Sequence, residues 1–417
     1  MLVEPPKYPE RVSEDAVPPF PVTIRWIADP GADAEVLRSR FGAPTAVWRH
    51  GEESRIGFGT AARLVFRGPD RIRDAAARWR RIASAAVVDS EVPDASPLAY
   101  GVFTFAEDSS ADSVLLVPRI VLVEREGVAY RIETPMLAEP TTSAVRDASP
   151  AFAPEAYEAA VTEAVRRIGT GALEKVVLAR DLVIESAGFD LDAALAVLAD
   201  RYRGAWVFAV DGVFGASPET LATVAGGLAT SRVLAGTAPR AADPETDAAN
   251  RSRLLDSPKN RFEHALAVDS LLLTLGDATE DLMIGRPFAL GLRNVWHLAT
   301  DASARIGDDV GALDLVALLH PTAAVAGAPR EAALAAIQAL EPFDRRRYAG
   351  PVGWIDGSGD GEWAIALRSA EIEGPDRVRA YAGAGVVAAS DAHGELEETS
   401  WKFQPIQEAL TAVRLHG

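Results

Sequence analysis

Lysine is scarce in this chain. It occurs at Lys7, Lys175, Lys259 and Lys402 among 42 basic residues, and the other 42 − 4 = 38 are arginine. One of the four opens the apolar run Lys175-Val176-Val177-Leu178-Ala179-Arg180, whose β-branched content reads as a buried strand. Arginine keeps its proton in a protein, whereas a desolvated lysine can release it. Lys175 is therefore a candidate general base, although a lysine snorkelling from a strand end gives the same local pattern. A candidate acid is Glu219 in Phe214-Gly215-Ala216-Ser217-Pro218-Glu219, just past a turn that follows a strand. A pocket that raises its pKa makes it a proton donor; on an exposed strand it is a solvated carboxylate.

Other residues have the types that bind an anion or a cation. Glu395, Glu398 and Lys402 share one helix face at i, i+3 and i+7, and Glu398 to Lys402 is an ion-pair spacing. Glu263 sits on a helix among Phe262, Leu266, Val268 and Leu271. With Glu398 it would form a hard oxygen site of the kind Mg²⁺ takes, and ion-paired or solvated glutamates fit the same spacing. Arg368 interrupts an apolar strand in Leu367-Arg368-Ser369-Ala370 and can clamp a carboxylate. Tyr381-Ala382-Gly383-Ala384-Gly385-Val386-Val387 ends a strand with two glycines, where a backbone N–H can approach a ligand or a bulge can form. His320 follows a helix in Leu319-His320-Pro321-Thr322. His264 and His297 have no partner at metal-ligand spacing. No G-x-S-x-G elbow and no helix-opening G-x-G-x-x-G is present, which argues against a hydrolase triad and a dinucleotide site.

These residues need elements to hold them. Tyr157, Val161, Val165 and Ile168 recur at helical spacing. The pattern then predicts a strand over 175–184 and a helix over 191–202. Strands follow over 205–215, 219–225 and 228–235. A long helix over 258–275 has Ser257 as N-cap and Pro258 at its first position. Strands are expected near 291–305, helices near 312–319 and 330–340, strands over 351–356, 362–372 and 376–387, and a last helix over 395–412. Earlier, a basic helix covers 71–85, and two short strands cover 114–117 and 120–123. Residues 138–154 read as a connection between a variable part, 1–150, and a main part, 151–417, within one intertwined unit. Strands come in runs rather than in βαβ alternation, which predicts an α+β fold with antiparallel sheets.

The bulk numbers limit the function. The chain has 417 residues, 48% hydrophobic and 24% charged, so it can bury one very large core or two ordinary ones. The net charge of −18 repels a phosphate backbone, and no nucleic-acid partner is expected. Cysteine is absent, which excludes disulfides, thiolate metal sites and a cysteine nucleophile. Apolar stretches are too short to span a membrane, and Met1-Leu2-Val3-Glu4-Pro5-Pro6 has no signal-like pattern. A cytoplasmic protein is the expectation. An acidic protein that binds an acidic molecule must concentrate cations, with or without a metal, at one place.

The order of the motifs carries a resemblance. KVVLAR, FGASPE, LAGT (234–237), a helix Glu followed by His, HPTAAVAG (320–327), YAG.VGW (348–354), ALRSAEI, YAGAGVV and GELEETSWK follow one another. This series, over roughly 150–412, resembles the chorismate-utilising enzymes. They comprise isochorismate and salicylate synthases and the large subunits of anthranilate and aminodeoxychorismate synthases. The resemblance implies two stacked antiparallel sheets with helices outside. It implies that Lys175 activates a water, that Glu219 protonates the departing C4 hydroxyl of chorismate, and that Glu263 and Glu398 hold Mg²⁺ with Glu395 in support. Arg368 and Tyr348 would hold the enolpyruvyl carboxylate. Gly383, Ala384 and Gly385 would offer backbone N–H groups, and Gly236, Thr237, His320 and Lys402 would line the rest. Lysine at position 175 is similar to the branches that add water. It implies no glutamine amidotransferase partner, and a monomer is the default for that branch. PTAAVAGAPR (321–330) looks most like menaquinone-pathway isochorismate synthases; salicylate synthases and siderophore-pathway enzymes are the alternatives. Ser231-Arg232 departs from the Thr-Glu common among relatives.

Overall fold

The structure is a computed structural model that describes residues 17–138, 151–171, 173–276 and 279–414. Most of the 138–154 connection and the first sixteen residues lie outside the described residues.

Two antiparallel sheets stack on each other and share the long pair Glu53–Phe66 and Ser113–Arg125. From that pair the first sheet runs through Ala46–His50, Trp206–Val210, Val213–Ser217, Ser369–Gly374, Arg377–Val386 and Lys175–Glu185. The second runs through Leu98–Val102, Pro351–Asp356, Gly361–Ile365, Thr220–Ala225, Leu228–Pro239 and Val295–Arg305. The one parallel pairing among the described residues joins Phe20–Trp26 to Ala86–Ser90 at an edge. Between the sheets lies a large core that includes Trp48, Tyr100, Leu115, Phe208 and Trp363. Trp48 and Trp354 both donate their indole N–H to Glu362 Oε2, at 2.8 and 3.0 Å. A second core lies under Leu191–Arg201 and Ala392–Arg414, which cover the outer face of the first sheet.

The helix Pro258–Leu275 shows how local sequence aims a functional group. Ser257 Oγ accepts the N–H of Asn260 at 3.3 Å, and Pro258 occupies a position whose N–H would be unpaired anyway. Its buried residues Glu263, Ala267, Leu271 and Leu275 recur every four positions, so one stripe faces the sheets. Glu263 is on that stripe and is carried inward with the apolar side chains.

The chain passes between the sheets twice at one place. Val213–Ser217 belongs to the first sheet and Thr220–Ala225 to the second, with Pro218 and Glu219 between them. Gly361–Ile365 belongs to the second and Ser369–Gly374 to the first, with Ala366, Leu367 and Arg368 between them. The crossings are clasped together. Ser217 Oγ donates to Ile365 O at 2.6 Å, Ile365 N–H to Glu219 O at 3.1 Å, and Ala216 N–H to Arg368 O at 3.2 Å. Arg368 has φ of 48°, in the left-handed region, a costly backbone for a residue with a Cβ.

The expected elements need four revisions. The run 362–372 is two strands, because the chain changes sheets at 366–368. The run 205–215 is a hairpin with Asp211 and Gly212 both at positive φ, as a tight two-residue turn requires. Strands 114–117 and 120–123 are one strand running through Pro118. A bulge in the partner between Thr60 and Ala62 accommodates the residue that has no N–H to donate. The helices Pro30–Phe41 and Pro244–Asp256 and the strand Glu280–Ile284 are not among the expected elements. The other helices fall within a few residues of expectation.

Gly215 permits the clasp: a Cβ there would lie 2.6 Å from Arg368 O and 2.8 Å from Ser369 Cα. Gly215→Ala should therefore destabilise the fold by about 1–3 kcal/mol, read as a lower urea midpoint at unchanged slope.

Candidate active site

Both crossings open onto one cavity, walled also by the glycine end of Arg377–Val386 and by two helices. Glu219, Gly236, Thr237, Glu263, Tyr348, Arg368, Gly383, Gly385, Glu398 and Lys402 line it, as do His297 and Arg345. Lys175 adjoins this cavity. Its side chain is fully buried, and Nζ makes no hydrogen bond. Nζ lies 3.3 Å from Glu263 Oε1, close enough for an ion pair but misaligned for hydrogen bonding. Gly385 sits against both: a Cβ there would lie 2.1 Å from Glu263 Oε1 and 3.2 Å from Lys175 Cε. The glycine leaves the space in which the carboxylate and the lysine meet.

Burial pushes the Glu219 carboxyl up to about 8, against the opposing charges of Lys175, Arg368 and Lys402. At neutral pH it is a protonated acid inside a cationic cavity, which suits a proton donor. Glu398 is different. Burial alone would raise it, but Lys402, with Nζ at 2.7 Å, Lys259 and Arg368 hold it below the ordinary carboxylate value, so it is ionised. Lys402 Nζ also donates to Gly383 O at 2.8 Å, tying the last helix to the glycine strand.

Arg368 donates to His297 Nε2 at 2.9 Å. An arginine only donates, so Nε2 accepts and Nδ1 carries the proton. Nδ1 lies 3.3 Å from Gly236 O and 3.1 Å from Thr237 Oγ1. Burial, then the charges of Arg368 and Lys402, push His297 well below its ordinary value, and it stays neutral. The histidine thus aims the guanidinium without adding charge. Tyr348 stacks on Tyr381 with ring centroids 5.2 Å apart, and burial pushes its hydroxyl up to about 12.

Besides Lys175, which stands beside the cavity, three expected site residues do not line it. His320 ends the helix Ala312–Leu319, and its Nε2 hydrogen bonds with Phe105 O at 3.0 Å in a different cavity. Burial and the nearby Arg71 lower it to about 3. Ala384 does not line the cavity, because strand alternation turns its side chain away from the face that Gly383 and Gly385 present. Glu395 stands behind the cavity, held by Lys259 Nζ at 2.5 Å, and burial and the Glu398 charge raise its carboxyl. Arg232, the departure from the relatives' pattern, pairs with Asp301 at 2.5 Å and lies outside this cavity. Sequence alone does not single out His297, because its role depends on an arginine 71 residues away.

Among the described residues, no three acidic or histidine side chains converge as a ready metal cage. Glu263 and Glu398 remain as a pair facing the cavity. Two carboxylates fit Mg²⁺, which keeps waters and completes its shell with a ligand's oxygens.

A two-sheet α+β unit with an acid, a lysine and a carboxylate pair around one cavity belongs to a defined class of proteins. A family model described as chorismate binding enzyme matches residues 131–411, and the chain belongs to that family. The chain is 39% identical over 271 residues to the isochorismate synthase DhbC of Bacillus subtilis, covering 62% of this chain and 68% of that protein. It is 34% identical over 414 residues to the salicylate biosynthesis isochorismate synthase of Pseudomonas aeruginosa, covering 89% of this chain and 85% of that one. The solved structure of MenF, the menaquinone-specific isochorismate synthase from Escherichia coli, matches with a TM-score of 0.76 at 25% identity. That match covers 95% of this chain and 96% of the other.

The raised Glu219 gives a signed pH effect. The folded state keeps this proton up to about pH 8, whereas the unfolded chain loses it near the ordinary glutamate value. The group's contribution is full below the unfolded pKa and is lost as pH rises to about 8. Wild type should therefore lose stability relative to Glu219→Gln between about pH 5 and 8, by roughly 1.4 kcal/mol per unit at most. Urea unfolding of both proteins across that range measures it.

Proposed function

We propose that this protein is an isochorismate synthase that converts chorismate to isochorismate with Mg²⁺. The observation that carries the reading is the fully buried Lys175, its Nζ free of hydrogen bonds, beside a cavity that also holds the protonated Glu219. Two relatives and a solved structure named as isochorismate synthases support it.

In this reading Lys175 acts as the neutral amine, and its Nζ takes a proton from the water that adds at C2 of the ring. Glu219 gives its proton to the C4 hydroxyl, which leaves as water while the ring double bonds shift. One water enters and one leaves, so substrate and product are isomers. Arg368, aimed by His297, and Tyr348 hold the enolpyruvyl carboxylate, and Lys402 adds positive charge. Glu263 and Glu398 would hold Mg²⁺, which supplies positive charge for the ring carboxylate when bound. The burial that raises Glu219 also strengthens each of these interactions.

Menaquinone biosynthesis is the proposed pathway, supported by the residues of 321–330 and by the extent of the match to MenF. The reading also takes the enzyme to act in the cytoplasm as a monomer without a glutamine amidotransferase. Lys175, the residue suited to activate water, supports the last point. No described helix is long and apolar enough to cross a membrane.

Purified protein incubated with chorismate and Mg²⁺ should yield a product of unchanged mass and altered retention in chromatography with mass detection. Lys175→Ala or Glu219→Gln should lower kcat by about 10²- to 10⁴-fold while chorismate still binds in calorimetry. Full turnover by Lys175→Ala would overturn the mechanism, and salicylate plus pyruvate as products would move the assignment to a salicylate synthase.

A further inference from the structure

A second cavity, of about 860 Å³, lies on the far side of Arg345 from the catalytic cavity, and Arg345 lines both. Small-molecule sites typically occupy about 300–1,000 Å³ and combine apolar walls with a few aimed polar groups. This cavity has both. Ile72, Phe105, Leu334 and Phe343 supply apolar wall. Two polar side chains, each more than nine-tenths buried, also line it with an atom that has no hydrogen-bond partner: Arg71 Nε and His320 Nδ1.

The chemistry of these two atoms differs. Arg71 is pinned by carbonyls: Nη2 donates to Thr104 O at 2.9 Å and Phe105 O at 3.0 Å, and Nη1 to Gly68 O at 3.3 Å. Among the described residues, no carboxylate lies within ion-pair distance of it. It opens the fifteen-residue helix Arg71–Ala85, whose N-cap Asp70 makes no side-chain cap bond. A buried, unneutralised guanidinium with a free N–H, beside an uncapped helix N-terminus, is built for an oxyanion. His320 Nε2 donates its proton to Phe105 O, which leaves Nδ1 as a lone-pair acceptor. That atom calls for a hydroxyl or amine donor. Arg330 is held at the same wall, donating to His320 O at 2.5 Å. The acidic groups Glu107 and Asp108 stand at the exposed rim, and their charges act on Arg71 from there without an ion-pair contact.

We propose that this cavity is a second ligand site, for a small and largely apolar carboxylate that carries a hydroxyl, of the hydroxyaryl carboxylate kind. The carboxylate meets Arg71, the hydroxyl donates to His320 Nδ1, and the ring occupies the apolar wall. The site is distinct from the catalytic cavity and requires none of its residues.

The test uses the full chain with para-hydroxybenzoate and para-hydroxyphenylpropionate as probes, followed by calorimetry and ligand-observed NMR. Saturable one-to-one binding in the millimolar range or tighter is expected. Arg71→Gln should weaken it by at least about tenfold, and Arg368→Ala in the catalytic cavity should leave it unchanged. Leu334→Trp, which fills the cavity with Arg71 in place, should weaken it as well and guards against misfolding of the Arg71 variant. Absence of saturable binding by either probe would overturn the proposal. So would binding that is lost in Arg368→Ala and kept in Arg71→Gln and Leu334→Trp.

Discussion

The site depends on the clasp between the two chain crossings. Each sheet alone would present a flat, alternating surface with no place for a convergent set of charges. Where Pro218-Glu219 and Ala366-Leu367-Arg368 pass between the sheets, the backbone leaves the ladder and side chains point into the gap. Glu219 and Arg368 are therefore placed by the same three hydrogen bonds. The left-handed backbone at Arg368 is sustained because Ala216 and Ser217 hold both of its sides. Gly215 lets those strands approach. Stability and function are coupled there through the backbone, not only through the side chains.

The electrostatics follow from this placement. Groups carried into a dry gap either pair or give up their charge. Glu398 pairs with Lys402 and stays ionised, Glu219 keeps its proton, and His297 stays neutral beside an arginine. The cavity thus concentrates cations within a protein of net charge −18, which is what an anionic substrate requires. Glu263 reaches it because its helix stripe repeats every four residues, and Lys175 stands beside it because its strand pairs along the glycine strand.

Much of this was legible in residue choice. A lysine placed in an apolar strand by a chain that otherwise uses arginine marked Lys175, and the helix spacing of Glu398 and Lys402 marked an ion pair that the structure contains. The sheet crossing at 366–368 was not legible, because 362–372 is a continuous run with no turn residue and only the tertiary clasp divides it. The hairpin at Asp211-Gly212 did carry a turn signal, masked by apolar residues on both sides. His297 lay in an ordinary alternating strand, and its meaning came from Arg368. The order of motifs puts His320 at the cavity and Glu395 in support of it, and it fixes neighbourhood along the chain but not the direction of a side chain. One faces another cavity and the other stands behind a lysine.

The interleaving of early and late strands shapes how this protein is made. Val102 pairs with Val352, a separation of 352 − 102 = 250 residues. At translation speeds of about 5–20 residues per second, roughly 12–50 s pass between synthesis of the two. Throughout that interval Leu98–Val102 has its neighbour in Ser113–Arg125 but leaves its other edge open. An open apolar edge is a template for pairing with another chain. Until Pro351–Asp356 is made, the nascent protein therefore carries an unpaired edge at Leu98–Val102, a site for wrong pairing that the finished fold no longer has.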